Sequence, residues 1–221
     1  MASRLRIDDE AGFVIMAWAR HFAIVLAAGL SQRMGTDKAA LPWLDGKLLL
    51  EWTVNALSEA GWQPVVVLGR HNHARWIDAL PQAMVVLNPN ADAGKTTSIR
   101  AGIQALPDEV RSVLLTGIDQ PRPPVLYASL RQEADRSAES IIAPDKNGRC
   151  GHPIVCHSRL RHHLAHLSEE QQGLRGLLRG HQDTVYRLAC DPTWLRWDFN
   201  TLAAYLEAFE WFRENLSRCG D

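Results

Sequence analysis

The 221-residue chain has no long hydrophobic run, no excess of positive charge and no closely spaced cysteine pair. No stretch reaches the roughly 18 consecutive apolar residues of a transmembrane helix. A formal net charge of −1 excludes the global basic field that a general nucleic-acid-binding protein uses. The four cysteines, Cys150, Cys156, Cys190 and Cys219, form no C-x-x-C or zinc pattern, so we expect free thiols in a reducing compartment.

Two common nucleotide-binding motifs and any targeting signal are also missing. The chain has neither the G-x-x-x-x-G-K-[ST] sequence of a P-loop nor the G-x-G-x-x-G sequence of a dinucleotide-binding fold. Residues 1–20 interleave acidic residues with apolar ones, so they lack the clean apolar segment of a signal peptide. We therefore expect an N-terminal extension of unknown role over residues 1–20, one domain over residues 21–221, and a cytoplasmic location.

Short apolar runs alternate with segments whose apolar residues have helical spacing, and this alternation predicts an α/β fold. The predicted strands are Phe22–Leu26, Pro64–Leu68, Met84–Leu87, Ser112–Leu115 and Ser140–Ala143. The predicted helices are Leu48–Ala60, Ala74–Leu80, Thr97–Leu106, Pro124–Asp135 and Leu202–Leu216. Because the strands are mostly apolar throughout and are separated by helices, we expect a single three-layer α/β/α domain with a mostly parallel, Rossmann-like sheet. Residues 145–200 are less regular.

The loop after the first strand has the composition of a polyphosphate-binding segment. Gly29 and Gly35 allow unusual backbone angles and close approach of the backbone, so free N–H groups can face phosphate oxygens. Ser31 adds a hydroxyl, Arg33 can donate to two oxygens at once, and Lys38 supplies a point charge. The alternative is an ordinary turn between a strand and a helix, which small residues also favour.

Asp119 is the best candidate for a metal ligand. It follows the fourth predicted strand, and a carboxylate at the end of a strand can hold Mg²⁺ against a polyphosphate. The alternative is that Asp119 only stabilises the turn before Pro121. The Gly29, Asn88 and Asp119 loops all follow predicted strands, so they can share the edge of the sheet where ligands of open α/β folds bind.

A longer string that contains the first loop is L-A-A-G-L-S-x-R-M-G-x-x-K-x-x-L-P, over residues 26–42. It closely resembles the signature of the nucleotidyltransferases with a molybdopterin-guanylyltransferase-like, GT-A-like fold. Within that superfamily the Ala-Ala-Gly-Leu-Ser version is most similar to the molybdenum cofactor cytidylyltransferases. The resemblance implies catalytic roles for Arg33, Lys38 and Asp119. It implies nucleotide binding by Ala27, Ala28, Gly29, Leu30, Ser31, Arg33, Gly35 and Lys38.

Two further stretches extend the resemblance to the substrates. Asn88, Gly94 and Ser98 match the family's Asn…Gly-x-x-x-Ser stretch, which implies contacts to the base and sugar, although Thr97 or Ser98 can instead cap the following helix. His152 matches the family's Gly-x-x-Gly-His-Pro motif, and Arg175 lies in a Gly-x-Arg-Gly-Leu-Leu stretch. Both are expected on the acceptor side, and the alternative for His152 is a buried, hydrogen-bonded structural histidine.

A second metal motif is expected near the C-terminus. Asp198-Phe199-Asn200-Thr201-Leu202 resembles the family's Asp-Ile-Asp-Thr-Pro, with Asn200 in place of the second acid and Leu202 in place of the proline. The resemblance implies metal ligation by Asp119, Asp198 and Asn200, and it leaves open whether Asp198 or Asn200 is the second ligand. The alternative is that the segment only begins the last helix, with Thr201 at its start.

The resemblance implies transfer of CMP from CTP to the phosphate of molybdopterin or molybdenum cofactor, with release of pyrophosphate. It implies Mg²⁺ as cofactor, with Mn²⁺ as an alternative. Expected partners are an NTP, with CTP preferred, the molybdopterin-type substrate, and a molybdoenzyme or its maturation chaperone as a protein partner; no nucleic acid or membrane is expected. Two alternatives stay open. One is a transferase of the same fold that uses GTP or a sugar-phosphate acceptor, and the other is a noncatalytic nucleotide-binding or cofactor-delivery protein.

Overall fold

The computed structural model describes residues 20–31, 34–137 and 139–216. Apart from Arg20, the expected N-terminal extension lies outside the described residues. The strands are β1 (His21–Leu26), β2 (Gln63–Leu68), β3 (Met84–Leu87), β4 (Ser112–Gly117), β5 (Ile141–Lys146), β6 (Arg149–Cys150), β7 (Ile154–His157) and β8 (Val185–Leu188). The helices are α1 (Leu49–Glu59), α2 (His73–Trp76), α3 (Lys95–Gln104), α4 (Pro124–Arg136), α5 (Arg161–Ala165), α6 (Gly173–Gly180) and α7 (Leu202–Asn215).

One sheet contains all eight of these strands, in the order β3-β2-β1-β4-β7-β5-β6, with β8 paired to β5. Strands β1 to β4 pair in parallel, as do β5 and β8. Strand β7 runs antiparallel to both β4 and β5, and β6 pairs antiparallel to β5. The predicted mainly parallel α/β sheet is therefore confirmed, and the antiparallel strands lie in its C-terminal half.

Helices cover both faces of the sheet. Along β1, Phe22 and Ile24 pack into one apolar cluster, which includes residues of α3, α5 and α6. The alternate residues Ala23 and Val25 pack into the other cluster, with residues of α1, α4 and α7. This alternation follows from the two-residue period of a strand. All six residues of β1 are buried. Its apolar run, Phe22–Leu26, leads directly into the Gly29 loop.

Two predicted helices differ from the structure at their boundaries. The segment predicted as Ala74–Leu80 is helical only over His73–Trp76, because a short apolar segment before Pro81 does not sustain a longer helix. The helix predicted from Thr97 begins at Lys95. Gly94 precedes it with φ +111°, and Glu169 Oε1 accepts from Thr96 N at 2.8 Å. A distant side chain thus caps this helix, in place of Thr97 or Ser98.

Cys150, Cys156 and Cys190 are free thiols, as expected, and Cys219 lies outside the described residues. Among the described residues, no helix is long and apolar enough to cross a bilayer.

Candidate functional site

The loop after β1 leaves the sheet beside β2. Ala27 N donates to Val67 O at 2.9 Å, and Asn72 Nδ2 donates to Ala27 O at 3.0 Å. Ser31 holds the left-handed conformation, with φ 49°, and its carbonyl accepts from Met34 N and Gly35 N. Gly29 and Gly35 were both predicted to allow unusual backbone angles; Gly35 has one, at φ +66°, whereas Gly29 is not among the residues of positive φ.

Gly29 is open on the side where a Cβ would stand, with no atom within 4 Å. A ligand can therefore approach the backbone there closely. Arg33, which was predicted to contact the nucleotide and act in catalysis, lies outside the described residues.

Lys38 joins three segments of the site. Its side chain leaves a short helical turn, Lys38–Ala40, which Asp37 caps by accepting from Ala39 N at 3.1 Å. Only 8% of the residue is exposed. The ammonium donates to Asn200 Oδ1 at 2.8 Å, to Phe199 O at 2.9 Å and to Asp119 Oδ2 at 3.3 Å. Three oxygens therefore converge on one positive charge.

Asp119 lies two residues after the end of β4, and the local sequence makes room for its carboxylate. A Cβ on Gly117 would stand 2.5 Å from Asp119 Oδ1, so a larger residue there would push the carboxylate aside. Phe199 N donates to Asp119 O at 3.1 Å and so joins the Asp198–Asn200 segment to the Asp119 turn. These two segments, 80 residues apart in the sequence, therefore form one structure.

Asp198 and Asn200 lie on this tied segment but have different partners. Asp198 Oδ2 accepts from Gln120 Nε2 at 3.1 Å, whereas Asn200 Oδ1 faces Lys38. Gln120 Oε1 is buried and has no hydrogen-bond partner among the described residues. Thr201 caps α7 by accepting from Ala204 N, so the helix begins with Thr201 as the structural alternative expected, and the cap does not use Asp198.

Asn88 braces the next loop. It is buried, and its Nδ2 donates to Thr97 Oγ1 and Ser98 Oγ, both at 2.9 Å, while its Oδ1 accepts from Asn90 N at 3.0 Å. Its amide is thus occupied by protein partners. At Gly94, a Cβ would meet the Glu169 carboxylate at 2.6 Å, so the turn into α3 excludes a side chain.

One open cavity of about 730 Å³ connects these segments. It takes in nine of the predicted site residues and several that the sequence did not single out as contacts, including Asp92. Its lining is Leu26, Ala28, Gly29, Leu30, Ser31, Lys38, Ala91, Asp92, Gly94, Lys95, Ser98, Gly117, Ile118, Asp119 and Asn200. Six other described residues predicted at the site are not in this lining, namely Ala27, Gly35, Asn88, His152, Arg175 and Asp198.

His152 lies in a cationic environment beside these residues. Burial, and after it the charges of Lys95, Arg122 and Arg175, lowers the pKa of His152 to about 4 against the opposing effect of Asp198. The ring is therefore neutral at physiological pH. The charges that act on His152 include Arg175, the other residue predicted on the acceptor side, and Asp198 of the second metal motif.

Sequence reasoning missed Arg122 and Gln120. Gln120 binds Asp198, and Arg122, which is 2% exposed, donates from Nε to His152 O at 3.0 Å. The signal that could have revealed Arg122 is its position: a cation directly after Asp119-Gln120-Pro121, at the end of a buried strand. Such a residue is held close to whatever the strand end binds.

The donor set fits a hard divalent cation. The available atoms are oxygens of Asp119, Asp198, Asn200 and the partnerless Gln120 Oε1, and oxygens are the ligands that Mg²⁺ and Mn²⁺ prefer. Among the described residues, no group of three His, Cys, Asp or Glu side chains converges on one point. One or two carboxylates are sufficient where phosphate oxygens complete the coordination, as is usual for Mg²⁺.

Comparisons with known proteins identify the family of the chain. A family model described as MobA-like NTP transferase domain matches residues 23–185. The molybdenum cofactor cytidylyltransferase of Escherichia coli K12 is 33% identical over 134 residues, which cover 60% of this chain and 67% of that protein. A probable molybdenum cofactor guanylyltransferase of Opitutus terrae is 30% identical over 125 residues, covering 56% of this chain and 60% of that protein.

A solved structure gives the same fold. Rv0371c from Mycobacterium tuberculosis superposes with a TM-score of 0.72 at 26% identity, covering 88% of this chain and 100% of that one. A structure of the same protein in complex with manganese has a TM-score of 0.67 at 23% identity, covering 87% of this chain and 98% of that one.

Proposed function

The chain belongs to the family of MobA-like NTP transferase domains and is a nucleotidyltransferase, and on that premise we propose that it transfers CMP from CTP to the phosphate of a molybdopterin-type acceptor. In this reaction an oxygen of the acceptor phosphate forms a bond to the α-phosphorus of CTP. The bond between the α-phosphorus and the bridging oxygen breaks, and pyrophosphate leaves with its electron pair. The acceptor phosphate is already an anion, so no general base is needed.

The observation that carries the proposal is the convergence at Lys38. Its buried ammonium meets Asp119, Phe199 and Asn200 at the wall of the cavity that the Gly29 loop also lines. An open loop backbone supplies N–H donors to phosphate oxygens, and a fixed cation beside it stabilises their negative charge. In this proposal Arg33 adds a second cation to the same loop. The catalytic work of these residues is positioning and charge stabilisation, as in other phosphoryl and nucleotidyl transfers.

Mg²⁺, or Mn²⁺, is the proposed cofactor. The manganese complex of the related Mycobacterium tuberculosis protein supports a divalent ion in this fold. Asp119 and the Asp198–Asn200 segment would hold it, since they supply oxygen ligands. The Phe199 N to Asp119 O bond and the shared contacts with Lys38 already hold the two segments together. When bound, the ion would neutralise the negative charge that develops on the departing pyrophosphate.

We propose CTP over GTP on the resemblance of Ala27-Ala28-Gly29-Leu30-Ser31 to the cytidylyl branch and on the relative from Escherichia coli. The guanylyltransferase relative keeps GTP as the second candidate. The base would lie toward Gly94 and Ser98, where the α3 end of the cavity is found. His152 and Arg175 would contact the acceptor, and a molybdoenzyme or its maturation chaperone would receive the product.

The test is a panel of CTP, GTP, ATP and UTP with Mg²⁺ and a molybdopterin acceptor, followed by pyrophosphate release. We expect turnover with CTP and at least a tenfold lower rate with GTP, because a site that pairs with one base edge leaves buried polar groups unpaired with another. Faster turnover with GTP would contradict the cytidylyl assignment and leave the fold and metal site unaffected.

Asp119→Asn, tested beside Asp183→Asn, tests the chemistry of the same site. We expect Asp119→Asn to lower kcat by about 10²-fold or more, because it removes a carboxylate from the proposed metal site. Asp183 is an exposed carboxylate that does not line the cavity, so Asp183→Asn should retain wild-type turnover. Full activity in folded Asp119→Asn would contradict the metal site.

A further inference from the structure

Arg122 is a buried cation whose observed bonds are all to backbone carbonyls. Its Nη1 donates to Pro121 O at 2.9 Å and to Trp197 O at 2.5 Å, and its Nε donates to His152 O at 3.0 Å. Only 2% of the residue is exposed. Within the part of the chain that the structure describes, no carboxylate lies within ion-pair distance of it.

Stability alone does not account for a guanidinium at this position. Moving a charge out of water is costly, and neutral carbonyls offset that cost less well than a carboxylate does. Burial lowers the pKa of Arg122, while the more distant Asp198 and Asp119 raise it. A well-packed apolar side chain would avoid the charge burial altogether. The position of the three carbonyls gives a better reason for an arginine.

Each of the three carbonyls belongs to a different part of the site. Pro121 follows the Asp119 turn, and Trp197 precedes Asp198. These two segments are already joined by the Phe199 N to Asp119 O bond and by Gln120 to Asp198. His152 O belongs to the loop before β7, on the side where Arg175 and Lys95 are near the His152 ring. The guanidinium therefore joins the metal side of the site to the acceptor side.

We propose that Arg122 is a positioning residue that holds the His152 segment, on the acceptor side, in register with the Asp119 and Asp198 segments. The planar fork of arginine suits this role, because three donors in fixed directions specify three carbonyl positions, which a lysine cannot do. This inference rests on the proposed nucleotidyl transfer. It goes beyond it in assigning the alignment of the two substrates to a residue that does not line the nucleotide cavity.

The experiment compares Arg122→Met and Arg122→Lys with wild type, and uses Arg161→Met as the matched control. Arg161 also bonds backbone carbonyls of another segment, those of Leu106 and Pro107, but it lies away from the cavity. For each folded variant, kcat and KM are measured separately for CTP and for the acceptor, with the melting temperature as a check on folding.

We expect both Arg122 variants to lose about 10²-fold in kcat/KM for the acceptor, because misplacement of a reacting group by about an ångström has that effect. The KM for CTP should stay within about twofold, since no bond of Arg122 reaches the Gly29 loop or Lys38. Arg161→Met should lower the melting temperature without changing the balance between the two KM values.

Three results would overturn the assignment of Arg122, and a fourth would refute the proposed function. Arg122→Lys with wild-type kinetics would show that charge, and not the fork, is needed. Equal rises in the KM for CTP and in the KM for the acceptor would show a general loss of structure, as would a loss of activity matched by Arg161→Met at the same melting temperature. An inactive wild-type protein, tested with all four NTPs, would instead refute the proposed function itself and the role of Arg122 with it.

Discussion

At the scale of single residues, Lys38 and Asn200 form the closest polar contact at the proposed metal site. Lys38 Nζ is 2.8 Å from Asn200 Oδ1, closer than its 3.3 Å from Asp119 Oδ2. The ammonium therefore lies between the carboxylate of one motif and the amide of the other. A negative charge introduced at position 200 would therefore have Lys38 as an ion-pair partner.

Asn200→Asp should therefore strengthen cation binding without a loss of stability. The new carboxylate would pair with Lys38, so we expect the melting temperature without metal to stay within about 2 °C of wild type. With CTP present, the rise in melting temperature on addition of Mg²⁺ should be larger, because an added carboxylate increases the attraction of the site for a hard cation. Asn147→Asp, at an exposed turn, is the control. A lower melting temperature with an unchanged response to Mg²⁺ would place residue 200 outside the cation's reach.

Some of these residues could be predicted and others could not. Asp119 and Gly29 follow apolar strands, so their location at one edge of the sheet follows from the parallel topology. The position of Arg122 after Asp119-Gln120-Pro121 could have drawn attention to it, but its role and that of Gln120 depend on carbonyls and a carboxylate that come from residues 152–198. Contacts between distant segments leave no local pattern, and position 200 needed a family resemblance to be noticed.

At the scale of elements, α7 holds the second motif in place through an aromatic cluster. Trp43 has ring contacts with Phe199, Tyr205, Phe209 and Phe212 at centroid distances of 5.5–6.2 Å. Two aromatic residues of this helix, Tyr205 and Phe212, are buried in the core. Since α7 begins two residues after Asn200, this packing fixes where the motif stands.

Phe212→Ala should lower the free energy of unfolding by roughly 3–5 kcal/mol, the usual range for removing a buried phenylalanine. The side chain is fully buried between Trp43 and Trp52, at 5.5 and 5.7 Å, so its removal leaves a cavity in a tightly packed region. Leu206→Ala on the same helix is the control, because Leu206 is 51% exposed and should have an effect near 0.5 kcal/mol or less. Urea unfolding of both variants measures the difference, and similar losses for the two would contradict the cluster's role.

Residues 145–200 were described from the sequence only as less regular, and the structure places β6, β7, β8, α5 and α6 there. Strands β6, β7 and β8 have two to four residues each, and α5 has five, too few for hydrophobic periodicity to show. Their structure depends on pairing with β5 and β4, which supply a ready edge. The longer apolar strands β1, β2 and β4 and the helices between them could be predicted from their own hydrophobic pattern.

At the scale of the whole molecule, the prediction of a three-layer fold succeeded because each face of the sheet has its own apolar cluster. Continuous apolar strands with intervening amphipathic helices allow few other arrangements. The sequence did not reveal that β7 would enter beside β4 in the opposite direction. Strand direction is set by the path of the connection, and residues 137–153 give no periodic signal for it. The middle of the sheet, where β1 pairs with β4, also contains a histidine whose protonation is linked to stability.

His21, at the start of β1, is built into the fold in its neutral form. Its Nδ1 lies 2.7 Å from Ser112 Oγ on β4, and its Nε2 lies 3.2 Å from Asp135 Oδ1 on α4. A neutral ring that accepts at Nδ1 and donates at Nε2 satisfies both contacts. Burial, and after it the charge of Arg131, lowers the pKa of His21 from 6.5 to about 4 against the opposing effect of Asp135.

The free energy of unfolding should therefore fall as the pH is lowered from about 6.5 to about 4. In that window the unfolded chain binds a proton at this histidine that the folded chain does not, so stability rises with pH and is lost toward acid. One such proton gives a slope of up to about 1.4 kcal/mol per pH unit. His21→Gln retains a donor and an acceptor but does not titrate, so its slope should be smaller than that of wild type by up to this amount. The control is His162→Gln, at an exposed position on α5, which should leave the slope unchanged. Urea unfolding at several pH values gives the three slopes. Equal slopes for wild type and His21→Gln would show that His21 carries the same charge in the folded and unfolded chain.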